Sequence, residues 1–283
     1  MEVTARIVRL HLAETFVISR ESAEFADVVQ VSIRHADAIG HGEGAPIERY
    51  GESAASAAEF VEEHGHLVGD DPFALEEIGA RLAEIPGEQA AKSALDAALH
   101  DLQGKLLGVP VWRLLGLPRT GPPTSWTVWL GDPDDMARRA EKAAPRFRRL
   151  KLKLGGGVVL RERSPVAIYV DEDCHTLDDV AACTEIAHGV NIKLAKSGGI
   201  REALRMTHAA RALGLGVMLG CMIESGLGIA AACAVGPLCD HVDLDGNLLL
   251  AHDPWEGPAL IDGVQVPADE PGLGVHETAA HTR

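Results

Sequence analysis

The chain has no apolar run approaching the eighteen or so residues that a membrane span needs. Its opening stretch, MEVTARIVRLHLAET, is interrupted by charge every few residues, so it lacks the apolar core of a signal peptide and reads as cytoplasmic. Aromatic residues are scarce, at 4% of 283 residues. Basic residues are outnumbered, 26 Lys and Arg against 42 Asp and Glu, for a formal charge of −16. That sign argues against nucleic acid or an anionic membrane as partner, because both select for cations. The five cysteines, Cys174, Cys183, Cys221, Cys233 and Cys239, are odd in number and form no C-x-x-C pair. The pattern argues against a disulfide framework or zinc ribbon, and buried reduced thiols are expected. His64 and His66 sit in a polar stretch without a matching ligand pair, which reads as a solvated loop.

What is present is an ordinary globular balance, with 46% apolar and 24% charged residues, enough for one large domain or two modest ones. VTARIVRLHL and DVVQVSIRHAD are rich in Val and Ile and read as strands, joined by a polar loop AETFVISRESAEFA. IGHGEGAPIERYGES reads as turns, and two helical regions follow. The second sets Ala91, Ala94, Leu95, Ala98, Leu99, Leu102 and Leu106 on one face at i, i+3, i+4 spacing and stops at Gly108 and Pro110. Residues 1–118 are therefore expected to form an α+β unit.

Beyond Gly121-Pro122-Pro123 the pattern changes. Short apolar strands (SWTVWL, RLKLKL, VAIYV, VNIKLA, LGVMLGC, HVDLD) alternate with helical segments such as DDMARRAEKAAPRF, LDDVAACTEIAHG and IREALRMTHAARALG. That alternation implies βαβ units and parallel pairing. The expected class is α/β: an α+β capping unit plus a TIM-like (β/α)7β-type barrel over 119–246, with 247–283 a tail returning to the first unit. In such barrels catalytic groups stand at the C-terminal strand ends. Reading only those ends collects Lys151, Lys153, Asp171, Lys193, Glu224, Asp243 and Asp245, with Lys196 just past its strand. Lysines clustered in a barrel mouth are costly to bury, and desolvation with a second ammonium nearby lowers their pKa toward use as a base.

The segments LKLKLGG, VDED, NIKLAKSGGI, GCMIESGLGIAAA and DLDGNLLL, with ALDAALHDLQGKLLGVPVWRLLG and GHGEGAP, resemble the muconate-lactonizing subgroup of the enolase superfamily. Asp243-x-Asp245 and the MIES segment are similar to the L-Ala-D/L-Glu and related dipeptide epimerases. The resemblance implies a capping domain, a barrel and Mg²⁺-dependent, two-base epimerisation of a dipeptide. Lys153 and Lys193 would be the bases on opposite faces, with Lys151 supporting Lys153. Asp171 would be one carboxylate ligand of Mg²⁺. Asp243 and Asp245 would receive the dipeptide's ammonium, while Arg20, Phe16 and Glu224 would contact substrate. A small-molecule substrate is the implied partner, and family members are often homo-oligomers. Sister chemistry in the subgroup, muconate cycloisomerase or o-succinylbenzoate synthase, offers no ammonium for the acid pair.

One departure stands out. The family pattern has two further metal carboxylates on two strands between the Lys151-x-Lys153 strand and the Asp171 strand, roughly sixty residues at about thirty per βα unit. Here only LGGGVVLRERSPVAIYV joins Lys153 to Asp171, too little for a helical crossover. An internal deletion between Gly157 and Val158 is expected, leaving about six barrel strands. Its alternatives are a segment omitted from an active enzyme, or a catalytically dead remnant that survives as a binding or oligomeric protein.

Overall fold

The computed structural model describes residues 1–17, 22–129, 131–152 and 167–279. Strands β1 (Glu2–Val17) and β2 (Ser22–His35) pair antiparallel. Phe16 lies opposite Ala23 and Val17 opposite Ser22, so the stretch expected as a loop is strand at both ends. Its Thr, Phe and Val residues have the β preference that a polarity reading overlooks. A register shift between His11 and Phe16 absorbs the irregularity.

The turn-rich reading of IGHGEG is also corrected. Residues Ala38–Gly44 form β3, completing a sheet of order β1-β2-β3. Gly40, Gly42 and Gly44 point to one face, as alternate strand residues must. A Cβ on any of them would sit inside contact distance of the carbonyl oxygen of Ala98, Ala94 or Ala90, respectively. These glycines serve close approach to a helix rather than chain reversal.

Three helices follow, one more than expected: α1 (Ala54–His64), α2 (Leu75–Ala83) and α3 (Gln89–Leu107). Ser53 and Ser56 close a capping box on α1, and Gly108 ends α3 at φ 70°. Helix α3 is buried around its whole circumference from Ala90 to Gly104, not on one stripe. The sheet covers one side, while the barrel helices α7 and α8 cover another. That is why Lys92, Asp96, His100 and Asp101 can be buried in it. The short α4 (Val111–Leu114) leads to the barrel half.

The barrel half runs β4 (Ser125–Val128), α5 (Pro133–Ala143), β5 (Arg149–Leu152), β6 (Tyr169–Val170), α6 (Cys183–Ile186), β7 (Gly189–Lys193), α7 (Leu194–Ser197), α8 (Ile200–Ala212), β8 (Gly216–Gly220), α9 (Gly226–Val235) and β9 (His241–Asp243). The helix expected from LDDVAACTEIAHG is broken into a 3₁₀ turn at Leu177–Asp179 and the single turn α6. Every strand pair here is parallel: β4 with β5, and β6-β7-β8-β9 in order. A parallel bridge between Thr124 and Val242 joins the two groups. Among the described residues β5 and β6 do not pair, so the barrel is not closed. The segment holding the expected deletion, with Lys153, lies outside the described residues, as does Arg20.

Strands β10 (Trp255–Glu256), β11 (Ala259–Ile261), β12 (Val264–Val266) and β13 (His276–Glu277) finish the chain. The tail touches the first unit through Arg6–Glu277, a Leu12–Leu250 bridge, and Leu273 N–H donating to Asp101. All five cysteines are free, and four are buried. No helix among the described residues is long and apolar enough to cross a membrane.

Candidate active site at the barrel mouth

The ends of β5, β6, β7 and β9, with the short helix α7, bring five charged side chains together. Lys151, an interior residue of β5, reaches across to an ion pair with Asp243 at the end of β9. Lys193, the last residue of β7, sets its Nζ 3.0 Å from Asp171 Oδ2 beyond β6. Lys196, one turn into α7, holds the other oxygen, Oδ1, also at 3.0 Å.

Lys196 does more than pair. Its ammonium also donates to the backbone oxygens of Asp171, Asn191 and Cys174 at 2.6, 2.9 and 3.1 Å. It thereby pins the loop after β6 to the start of α7. Its side chain is 1% exposed, and burial, opposed by Asp171, lowers its pKa. Asn191, two residues before Lys193 on β7 and so on the same face, donates from Nδ2 to Asp171 Oδ2 at 3.0 Å. The sequence reading passed over Asn191, although its i, i+2 spacing with Lys193 carried the signal.

Burial alone would raise the Asp171 pKa, but Lys193, Lys196 and Lys151 outweigh it and hold the carboxyl well below its ordinary range. The expectation of a lowered lysine fails at Lys151. Burial pulls its pKa down, yet Asp243 and Asp171 push it above the usual lysine value. A nearby carboxylate decides the sign, and sequence order alone did not place Asp243 there.

Asp245 is 4% exposed, and its Oδ2 accepts from Thr127 N–H at 2.6 Å. Burial, then the charge of Asp243, raises its pKa to about 7. Asp243 Oδ1 and Asn191 Oδ1 are buried and have no hydrogen-bond partner among the described residues. Glu224, at the turn into α9, is buried and raised to about 7 by desolvation and by Glu43. Glu43 enters from β3 of the capping sheet. It accepts from Ser225 N–H at 2.7 Å, Ser225 Oγ at 2.6 Å and Gln30 Nε2 at 2.7 Å. Nothing in the sequence announced this contact between the two halves.

Phe16 packs against Trp129 with ring centroids 5.6 Å apart, at the junction of the β1–β2 arm and the end of β4. From the capping side, Tyr50 stacks on His175 at 3.9 Å and donates to the Glu172 carbonyl at 2.7 Å. Arg49 pairs with Asp173 at 3.0 Å. The loop bearing Asp171 is thus clamped from both sides.

Among the described residues no three His, Cys, Asp or Glu side chains group to hold a metal. Both Asp171 oxygens already face ammonium groups. Mg²⁺ favours several oxygen ligands in octahedral geometry, so the described residues do not fit it.

Comparison with known proteins follows the same two halves. Residues 1–116 match the family model described as mandelate racemase / muconate lactonizing enzyme, N-terminal domain. Residues 158–279 match the model described as enolase C-terminal domain-like. An L-Ala-D/L-Glu epimerase of Bacteroides thetaiotaomicron is 32% identical across 97% of this chain and 88% of its own length. A hydrophobic dipeptide epimerase of Roseobacter litoralis is 32% identical across 97% of this chain and 98% of its own. The two alignments run over 335 and 339 residues, against 283 in this chain. Stretches of both relatives therefore face no residue here. Among solved structures, a dipeptide epimerase from Enterococcus faecalis complexed with Mg and L-Leu-L-Tyr superposes with a TM-score of 0.90 at 26% identity, covering 97% and 99% of the two chains. One from Methylococcus capsulatus complexed with Mg and L-Arg-D-Lys gives 0.87 at 30%, covering 97% and 98%.

Proposed function

Because this chain belongs to the enolase superfamily, in its mandelate racemase and muconate lactonizing group, we propose that its barrel mouth is the site of an isomerase that epimerises a dipeptide. The reaction assigned is removal of the proton α to the C-terminal carboxylate and its return on the opposite face. Lys193 is one base and Lys153 the other, with Lys151 holding charge beside Lys153. Asp243 and Asp245 are assigned to the dipeptide's ammonium. Phe16, Arg20 and Glu224 are assigned to contacts with the rest of the substrate, Glu224 as a neutral carboxyl donor below its pKa of about 7.

The observation that carries this reading is the meeting of Lys193, Asp171, Lys151 and Asp243 at the strand ends of the two parallel sheets. A dipeptide ammonium entering this mouth would displace the Lys151 ammonium from Asp243, freeing Lys151 beside the reacting carbon. Mg²⁺ is the cofactor that goes with this chemistry in the relatives' structures. In a complete site it would supply positive charge beside the substrate carboxylate. Asp171 is the described carboxylate that the family resemblance offers it, but with both oxygens on lysine ammonium groups it does not by itself fit the ion.

The test is deuterium exchange at the α-carbon of the C-terminal residue, read by mass spectrometry in D₂O with Mg²⁺ and a panel of dipeptides. Exchange that Lys193→Ala abolishes is expected. Absence of exchange with every dipeptide overturns the reading. A second reading, a non-catalytic remnant that binds without turnover, is favoured by the unpaired β5 and β6 and the lack of a metal-holding group among the described residues. Calorimetric titration with Mg²⁺ separates the two: tight binding that Asp171→Ala removes rules the remnant out.

A further inference from the structure

A second cavity lies away from the barrel mouth, in the cleft where α2 and α3 of the capping half face α7, α8 and the turn at Thr176–Asp178. Its volume is about 300 Å³. One wall is apolar, made by Leu75, Ile78 and Leu82 of α2 and by Ile85. Lys92 of α3 lines the same space and is 8% exposed.

The environment of Lys92 is unlike that of the other buried lysines. Among the described residues, buried Lys193 and Lys196 both face the Asp171 carboxylate. Lys92 instead donates to one backbone oxygen, that of Ile85, at 2.6 Å, with the Phe60 ring 5.7 Å away. The acids nearest in charge, Glu52 and Glu88, do not supply a partner. Glu52 spends its oxygens on Gln89 N–H and Ala90 N–H at 2.7 and 3.3 Å. The arginines across the cleft are already neutralised: Arg201 by Glu76 and Glu202, at 2.9 and 3.0 Å, and Arg205 by Glu202 at 2.8 Å. Lys92, whose ammonium has N–H donors to spare, therefore lines a space with one apolar wall. A buried cation without a partner is expensive, and an anion entering from solvent would relieve that cost.

We infer that this cleft is a binding site for a small organic acid with an apolar body. The carboxylate sits on the Lys92 ammonium, and the alkyl chain lies against Leu75, Ile78, Leu82 and Ile85. A carboxylate offers the charge-assisted acceptor that Ile85 O supplies only in part. The rest of the lining is polar, and its acids Asp96 and Glu202 are engaged by the N–H groups at the start of α8 and by Arg201 and Arg205. An amphipathic acid would therefore meet the apolar wall together with Lys92. The site is independent of the reaction assigned to the barrel mouth.

Calorimetric titration of the full chain with hexanoate tests this, with hexan-1-ol and acetate as controls for body without charge and charge without body. Saturable binding of hexanoate is expected, with neither control matching it. Lys92→Met, which keeps length and removes charge, should weaken hexanoate by at least about tenfold while leaving the urea midpoint unchanged or raised. Leu75→Glu places a competing carboxylate on the wall at the first residue of α2, where a helix N-terminus accepts it. This second variant should abolish binding even if Lys92→Met folds poorly. Equal binding by Lys92→Met and the wild type would put the acid on the barrel-mouth lysines and overturn the proposal. So would hexan-1-ol binding as tightly as hexanoate, or no binding at millimolar hexanoate.

Discussion

Two acids at the mouth, Glu224 and Asp171, respond to pH in opposite directions. The folded pKa of Glu224 is raised from 4.5 to about 7 by burial and Glu43. Between those values the folded chain holds a proton that the unfolded chain has lost, so stability falls as pH rises through the window. Glu224→Gln removes this titration. Its urea midpoint should decline less between pH 4.5 and 7 than that of the wild type, with a gain at pH 8 on the order of 3 kcal/mol or less. Asp171 has the reverse sign. Its folded pKa is depressed, so its contribution is complete above the ordinary carboxylate range and is lost as pH falls toward the folded value. Asp171→Asn should therefore cost stability at neutral pH, by about 3–5 kcal/mol, since it leaves Lys196 buried without its counter-charge. The deficit should shrink in acid, as pH midpoint curves for the two proteins would show. If the curves stay parallel, Asp171 is not ionised by its lysines.

At the level of elements, much was written in the residue pattern. The alternation of Val and Ile gave β1 and β2, and the strand–helix alternation gave the parallel barrel half with Lys193 and Asp243 at strand ends. Three things escaped. Strand β3 was hidden because glycine signals both turns and close packing, and only the partner helix tells which. The second buried face of α3 was hidden because its polar residues are satisfied by distant elements. Asp96, for example, accepts from Ile200 N–H at 2.6 Å and Arg201 N–H at 3.2 Å, capping α8, whose own N-cap residue is Gly199. The Lys151–Asp243 pair was hidden because it joins positions 92 apart. Asp96→Ala should cost about 2–4 kcal/mol, as it removes a cap and the carboxylate beside buried His100. Urea unfolding measures this, and a loss below about 0.5 kcal/mol, the scale of an ordinary surface change, would deny the cap its role. Gly42→Ala should cost about 1–3 kcal/mol, because a methyl group there meets the Ala94 carbonyl.

Across the molecule, the two halves are joined by acids from the capping half rather than by apolar contact alone. Glu43 meets Ser225 at the start of α9, Asp96 meets α8, and Asp101 accepts from Leu273 N–H of the tail at 2.7 Å. Charged groups buried this way tie the fate of one half to the other. Trp112, Trp126, Trp129 and Trp255 all lie beyond the capping helices. Their fluorescence should nonetheless lose its folded signal at the same urea concentration as the far-ultraviolet dichroism, in one transition. Asp101→Asn should shift both signals together, whereas separated transitions would show that the halves unfold independently. Among the described residues the barrel is open between β5 and β6, where the short link between Lys153 and Asp171 had placed the gap, while the Thr124–Val242 bridge joins the β4 and β9 edges.

The seam between β3 and α3 also constrains how this sequence can drift. Glycine is the smallest residue, so Gly40, Gly42 and Gly44 have no smaller replacement and no room for a larger one. Opposite them Ala90, Ala94 and Ala98 hold the helix backbone against the strand. An exchange that lifted the helix away would have to be answered at three strand positions at once. Single substitutions do not take such a path, so the seam is a part of the chain that random change can damage but not gradually rebuild.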